Sequence, residues 1–268
     1  MQDDQAQALE IRETRHVLGL SGGKDSAALA IYLHQQGRDK NIEYFFSDTG
    51  SELKEVYEYL DKLEDYLGRP IERLSSGRDF DHHLKRFNNF LPAAHARWCT
   101  RVMKLEPFEA FVGTDPCVSY IGIRADERRE GYISHKPNIK AVYPFVEDGI
   151  VKTDVFRILE ESIGVPEYYK WRSRSGCYFC FFQRRDEWVG LAENHPELFE
   201  QAKQYEKVDP ISGKKFTWVQ GMTLDELYEK REEIKAKAAL KHQDGTQTWQ
   251  DRLMIEDDED QACLICTL

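Results

Sequence analysis

Short apolar runs alternate with amphipathic stretches through the first half of the chain. His16-Val17-Leu18-Gly19-Leu20 is apolar, brief and closed by Ser-Gly-Gly, which predicts a buried strand. Asp25 to Gln36 is rich in Ala and Leu and stops at Gly37, as a helix does. Asn41 to Ser47 is a second strand. From Glu52 to Leu67, Leu53, Val56, Leu60, Leu63 and Leu67 fall on one helical stripe, ended by Gly68 and Pro70. Ile71 to Leu74 is a short strand, Phe80 to Phe90 a helix closed by Pro92, and Val118 to Ile123 another buried strand. Alternating strands and helices predict an α/β fold, a parallel sheet with helices on both faces. Ligands of such sheets sit at the carboxyl ends of the strands, where the Gly-rich loop falls.

Beyond Tyr143-Pro144-Phe145 the pattern turns helical. Thr153 or Asp154 caps a helix that runs to Ser162 and breaks at Gly164-Val165-Pro166. Pro196 to Glu206 and Leu224 to Leu240 are further helices, the second opened by Thr223 and Glu226 as a capping box. The expected organisation is an α/β domain over 1–150 that carries the Gly-rich loop, and a Cys-containing, mainly helical C-terminal extension over 151–243 packed on it. Residues 244–268 form an acidic tail that ends in Cys263-Leu264-Ile265-Cys266.

Composition narrows the reading. The 268 residues hold no apolar run of the roughly 18 that a membrane span needs, and Met1 to Thr14 is polar with no signal-like core. The expectation is a cytoplasmic protein without a membrane partner. Six cysteines in a reducing compartment are then metal ligands or redox thiols sooner than disulfides. A net charge of −11 argues against a general nucleic-acid binder. The charge is uneven, however: residues 82–185 carry 17 Lys and Arg against 12 Asp and Glu, a balance of +5, which leaves −16 for the flanks. A basic centre in an acidic shell suits an anion held in a cleft.

The strongest chemical signal is Ser21-Gly22-Gly23-Lys24-Asp25-Ser26 between a strand and a helix. Two glycines let the backbone approach an anion and aim N–H groups at it, and the helix adds its positive end. Ser21 and Ser26 offer hydroxyl donors and Lys24 a point charge, while Asp25 is assigned to Mg²⁺ because it would otherwise repel phosphate. The spacing is not that of a Walker A loop.

This loop resembles the pyrophosphate-binding loop of PP-loop ATP pyrophosphatases, whose fold is adenine nucleotide alpha-hydrolase-like. Phe46-Ser47-Asp48-Thr49-Gly50 with Glu52 and Tyr57 resembles the second segment of the phosphoadenosine phosphosulfate (PAPS) reductase branch of that family. So do Cys99-x4-Lys104-x2-Pro107, Gly122-Ile123-Arg124-Ala125-Asp126-Glu127-x-Arg129 and Tyr143-Pro144-Phe145. The resemblance spans roughly Val17 to Glu206. It implies that Asp48 and Thr49 lie near adenosine, that Gly122, Arg124 and Arg129 meet phosphate or sulfate, and that Lys104 serves catalysis.

Cys99 with the Cys177-x-x-Cys180 pair forms a second constellation, flanked by Trp98, Tyr178, Phe179, Phe181 and Phe182. A CxxC places two thiolates on one metal, and aromatic neighbours supply a low-dielectric shell. The pattern is similar to iron–sulfur adenylylsulfate reductases, except that Thr100 stands where they have a second adjacent Cys. A [4Fe–4S] cluster with one open iron is the expectation, zinc the alternative; Cys263 and Cys266 are further ligands or a sulfur-relay pair. The resemblance as a whole is greatest to the ATP pyrophosphatase component of DNA phosphorothioation systems of the Dnd and Ssp type. It implies ATP and Mg²⁺ as cofactors and a cysteine desulfurase as sulfur donor, with DNA met directly or through a modification-complex partner. Reduction of adenylylsulfate or PAPS, tRNA thiolation and an ATP-sensing scaffold are the alternatives; sulfate adenylyltransferase shares the loop but has no use for the cysteines.

Overall fold

A computed structural model of the protein describes residues 13–127 and 136–241. Five strands, β1 (Arg15–Gly19), β2 (Ile42–Ser47), β3 (Ile71–Leu74), β4 (Cys117–Tyr120) and β5 (Ile139–Val142), form one sheet in the order β3-β2-β1-β4-β5. Every pairing is parallel. The chain moves from β1 outward to β3, then returns to the other side of β1 with β4. That reversal opens a crevice at the carboxyl ends of β1 and β4, the place where parallel sheets bind ligands.

Side chains alternate across the strands, and each face packs on its own helices. Leu18, Tyr44 and Phe46 join a large cluster that includes α1 (Lys24–Gln35), α2 (Lys54–Leu67) and α7 (Lys152–Glu160). Val17 and Phe45 face the other way, onto Phe108 and Val112 of α5 (Glu106–Val112), with Phe45 and Phe108 stacked at 5.0 Å. The stripe expected on α2 is buried, and Gly68 closes that helix at φ 62° with its N–H on the Glu64 carbonyl. The expected sheet with helices on both faces is therefore present.

The large cluster continues without a break into the C-terminal part, through Trp188, Phe199, Trp218 and Leu227. There α9 (Pro196–Lys203), α10 (Leu224–Glu229) and α11 (Arg231–Lys241) pack on α8 (Arg185–Asn194), and the Trp218 indole N–H donates to the Ala202 carbonyl at 2.9 Å. The capping box forms: Glu226 N–H donates to Thr223 Oγ1 at 3.2 Å, and Thr223 N–H to Glu226 Oε2 at 2.9 Å.

Several elements depart from the expected ones. The helix read over Leu224 to Leu240 is two helices that meet at Lys230. The helix read to Phe90 ends at Arg86, because Asn88 and Asn89 take left-handed conformations. Strand β5 and the hairpin of β6 (Lys207–Val208) and β7 (Lys215–Phe216) are too polar or too short to show a period. Residues 98–112 run as one continuous helical stretch: α4 (Trp98–Thr100), a π-helical turn at Arg101–Leu105, then α5. Pro107 lies inside this stretch and brings no N–H for the preceding turn, a common setting for such widening. Among the described residues, no helix is long and apolar enough to cross a membrane.

Candidate functional site

The loop between β1 and α1 wraps a point at the head of the sheet. Gly22 sits at φ 73°, and a Cβ there would lie 2.6 Å from Val56 Cγ1. A Cβ on Gly23 would meet Ser175 Oγ at 2.8 Å and Tyr169 Oη at 3.2 Å. Both glycines are thus required by close packing, and Gly22 by backbone freedom as well. Inside the loop, Ser21 N–H donates to Ser26 Oγ at 3.2 Å, and Ser26 Oγ donates to the Gly23 carbonyl at 3.3 Å.

A distant segment braces this loop. Tyr168 donates its hydroxyl to the Gly22 carbonyl at 2.6 Å, and Tyr169 Oη accepts Lys24 N–H at 3.0 Å. Ser175 Oγ donates to Ser21 Oγ at 3.2 Å. Buried Arg172 clasps the carbonyls of Gly176 and Cys177 at 3.1 and 2.7 Å, while Ser173 is tied to buried Glu187 at the start of α8. Residues 168–177 therefore place the Ser21–Ser26 loop and the first CxxC cysteine as one unit. Nothing in their spacing marks Tyr168, Tyr169 or Ser175 as site residues; they are visible only once the chain is folded. Tyr168→Phe is expected to cost about 1–2 kcal/mol, the usual penalty for withdrawing a buried hydrogen-bond donor, read as a lowered urea midpoint.

Charge at the crevice is arranged around Asp25. Its Oδ2 lies 3.1 Å from Lys24 Nζ and its Oδ1 2.8 Å from an Arg124 nitrogen. Arg124 comes from the loop after β4, so the two strands flanking the switch point each deliver one partner. Asp126 and Glu127 also hold Arg124, at 3.1 and 2.8 Å. Burial alone would raise the Asp25 carboxyl, but Lys24 and Arg124 outweigh it and hold it well below the usual carboxylate range. Gly122 permits this approach: a Cβ there would press on the Asp25 carbonyl oxygen at 3.0 Å. Both Asp25 oxygens are engaged by cations, so in this geometry the carboxylate orients Lys24 and Arg124.

A small cleft below the loop is lined by Ser21, Phe46, Ser47, Glu52, Lys104, Ser175 and Gly176. Lys104 and Gly176 also line a second cavity, together with Thr49, Cys99, Cys177 and Cys180. The structure thus brings together three cysteines that lie up to 81 positions apart, beside the Ser21–Ser26 loop. Phe80, Met103, Phe179, Phe181 and Phe182 form the apolar wall. Cys177 Sγ lies 3.1 Å from Thr49 Oγ1, which donates to Glu52 Oε1 at 2.7 Å. Burial and the Glu52 carboxylate push the Cys177 thiol well above its ordinary range, with Lys104 acting against them. Asp48 turns aside, accepting the Gly50 N–H and the Tyr57 hydroxyl, each at 2.8 Å.

Among the described residues, no group of three or more His, Cys, Asp or Glu closes on a single metal ion. Cys117, which the sequence left unassigned, is buried in the second core cluster, and burial pushes its thiol up to about 11. Arg129, Cys263 and Cys266 lie outside the described residues.

Residues 15–140 match the phosphoadenosine phosphosulfate reductase domain. This segment contains the Ser21–Ser26 loop, Asp48, Thr49, Cys99, Lys104 and Arg124, but not the Cys177–Cys180 pair. Two uncharacterized proteins of Methanocaldococcus jannaschii, MJ0066 and MJ0973, are 28% identical over 198 residues and 29% identical over 192 residues. These matches cover 69% and 67% of this chain but only 40% and 44% of the relatives, so the chain spans under half the length of the curated proteins it matches. Among solved structures, a phosphoadenylyl-sulfate reductase of Candida auris in complex with phosphate is similar at 12% identity and a TM-score of 0.43. That match covers 56% of this chain and 73% of the other. An NH3-dependent NAD synthetase of Campylobacter jejuni is similar at 16% identity and a TM-score of 0.41, over 87% and 89% of the two chains.

Proposed function

We propose that the chain is an ATP pyrophosphatase that adenylylates an acceptor oxygen for sulfur incorporation, with DNA as the acceptor. The observation that carries this reading is the placement of the Ser21–Ser26 loop, Lys24 and Arg124 at the switch point of the sheet, one wall away from three cysteines. Lys24 and Arg124 are cations suited to the charge that builds on departing pyrophosphate. An acceptor oxygen attacks the α-phosphorus, the bond to the β-phosphate oxygen breaks, and pyrophosphate leaves with that electron pair. A sulfur nucleophile then displaces AMP, so that sulfur replaces the acceptor oxygen. A backbone phosphate oxygen is already ionised, which removes the need for a general base.

Asp25 holds Lys24 and Arg124, so on this reading magnesium arrives with the nucleotide phosphates. The cysteine cavity fits a [4Fe–4S] group in donor type and apolar surround, with Cys99, Cys177 and Cys180 as its holders. Such a group would carry the sulfur to be transferred. A cysteine desulfurase as sulfur source belongs to the same proposal.

The test is pyrophosphate release from ATP and Mg²⁺ by anaerobically purified full-length protein, with DNA, tRNA or sulfate added in turn. Release stimulated by DNA is expected. Stimulation by tRNA alone would move the acceptor to RNA. Absence of release, with sulfite formed from adenylylsulfate or PAPS, would make the protein a reductase.

A further inference from the structure

Lys24 is buried at the start of α1, held between neighbours of two different kinds. On one side, Asp25 Oδ2 lies 3.1 Å from its Nζ. On the other, the ammonium lies over the ring of Tyr169, 5.5 Å from the centroid. The same tyrosine accepts the Lys24 N–H on its hydroxyl at 3.0 Å. One residue, 145 positions further along the chain, therefore holds both the backbone and the charged end of Lys24. That tyrosine is itself fixed. It stands in a 3₁₀ turn at Glu167–Lys170, opened by Pro166, whose carbonyl takes the Tyr169 N–H at 3.1 Å. It is 2% exposed, and the Tyr168 ring backs it at 4.8 Å between centroids. From the front the loop closes on its hydroxyl, where a Cβ on Gly23 would come within 3.2 Å.

The two neighbours act differently on the ammonium. A lysine head is a compact charge on a flexible four-carbon stem, so its place has to be set from outside. Asp25 holds it but opposes its charge, and Asp25 is shared with Arg124 at 2.8 Å. An aromatic face within about 6 Å attracts a cation through its quadrupole and adds no counter-charge. The Tyr169 ring thus keeps Lys24 in the crevice while leaving its positive charge for an anion. An aliphatic side chain would fill the same space without that pull.

We propose that Tyr169 is a positioning residue for Lys24, its ring setting the ammonium where the departing pyrophosphate meets it and its hydroxyl pinning the backbone below. The identity of the anion rests on the function proposed above. The hold on Lys24 does not, since it is made by the chain alone and can be measured without turnover.

The measurement is calorimetric titration of the full-length protein with inorganic pyrophosphate and Mg²⁺. Tyr169→Leu should weaken binding by about tenfold, the size of one desolvated cation–π contact. Tyr169→Phe keeps the ring and loses only the hydroxyl, so it should recover part of that loss and bind about threefold more weakly than wild type. Tyr169→pentafluorophenylalanine keeps the shape of Phe but reverses the charge of the ring face, and should bind like Tyr169→Leu. Lys24→Met should bind weakly, and adding Tyr169→Leu should weaken it no further, because a residue that acts through Lys24 has nothing left to hold. A packing defect would show its cost in both backgrounds. Losses that multiply in the double variant overturn the proposal. So do wild-type affinity in Tyr169→Leu, a fluorinated ring that binds like Phe, or a wild type that binds no pyrophosphate. If Lys24→Met leaves no measurable binding, the fluorinated ring decides. The expected pattern in protein that releases no pyrophosphate from ATP would keep Tyr169 in its role and sink the pyrophosphatase reading. Release from ATP with losses that multiply would do the reverse.

Discussion

Arg124→Met is expected to lower pyrophosphate release by about 10²- to 10³-fold, the range seen when one preorganised donor to a developing oxyanion is removed. The guanidinium is buried, emerges at the carboxyl end of β4, and is fixed by Asp25, Asp126 and Glu127 at 2.8 to 3.1 Å. It costs no reorganisation when phosphate charge appears. Arg124→Lys should recover little, because an ammonium cannot hold three carboxylates in one plane. Single-turnover release at saturating ATP measures the effect, and wild-type rates in Arg124→Met would remove Arg124 from the site. The partner variant Asp25→Asn reports on the same triad through pH. The folded Asp25 carboxyl lies below its ordinary value, so the triad contributes stability at pH values above the ordinary carboxylate range. That contribution is lost as pH falls below about 4 toward the folded value. Asp25→Asn should therefore be less stable than wild type at neutral pH and lose less on acidification. Parallel stability–pH curves for the two proteins would contradict this.

Gly22→Ala is expected to destabilise the protein by about 2–4 kcal/mol, combining a left-handed backbone position with overpacking of a dense core. The added Cβ would stand 2.6 Å from Val56 Cγ1, and Val56 is fully buried on α2. The loop can relieve the clash only by moving off Tyr168, so ATP affinity should fall along with the urea midpoint. Val56→Ala in the same background should restore part of both, since it removes the atom in the way. If the double variant is no better than Gly22→Ala, strain at φ 73° and not contact with α2 is the dominant cost. Gly50 provides the contrast: it also has positive φ, at 69°, but nothing lies within 4 Å of its added Cβ. Gly50→Ala should cost only the backbone share, about 1 kcal/mol.

The amino-acid sequence determined the layered sheet and the loop at its head, because those signals are local. A strand of five residues, a Gly-Gly turn and an Ala-rich helix each declare themselves within one or two turns of chain. The buried stripe of α2 and the Thr223 capping box are of the same kind. Local signals do not extend to features made by pairing distant segments. That Asp25 answers to Arg124 across the switch point, and so orients cations, follows from β4 lying beside β1. That Tyr168, Tyr169 and Ser175 brace the Ser21–Ser26 loop follows from α7 packing on α1 and returning the chain to the head of the sheet. The sequence showed three cysteines of metal-ligand type; only the fold put Lys104 and Gly176 in the wall between them and the loop. The physical reason is common to all of these. Periodicity reports which face of an element is buried, whereas the partner of that face is chosen by sheet order and crossover, which no local pattern encodes.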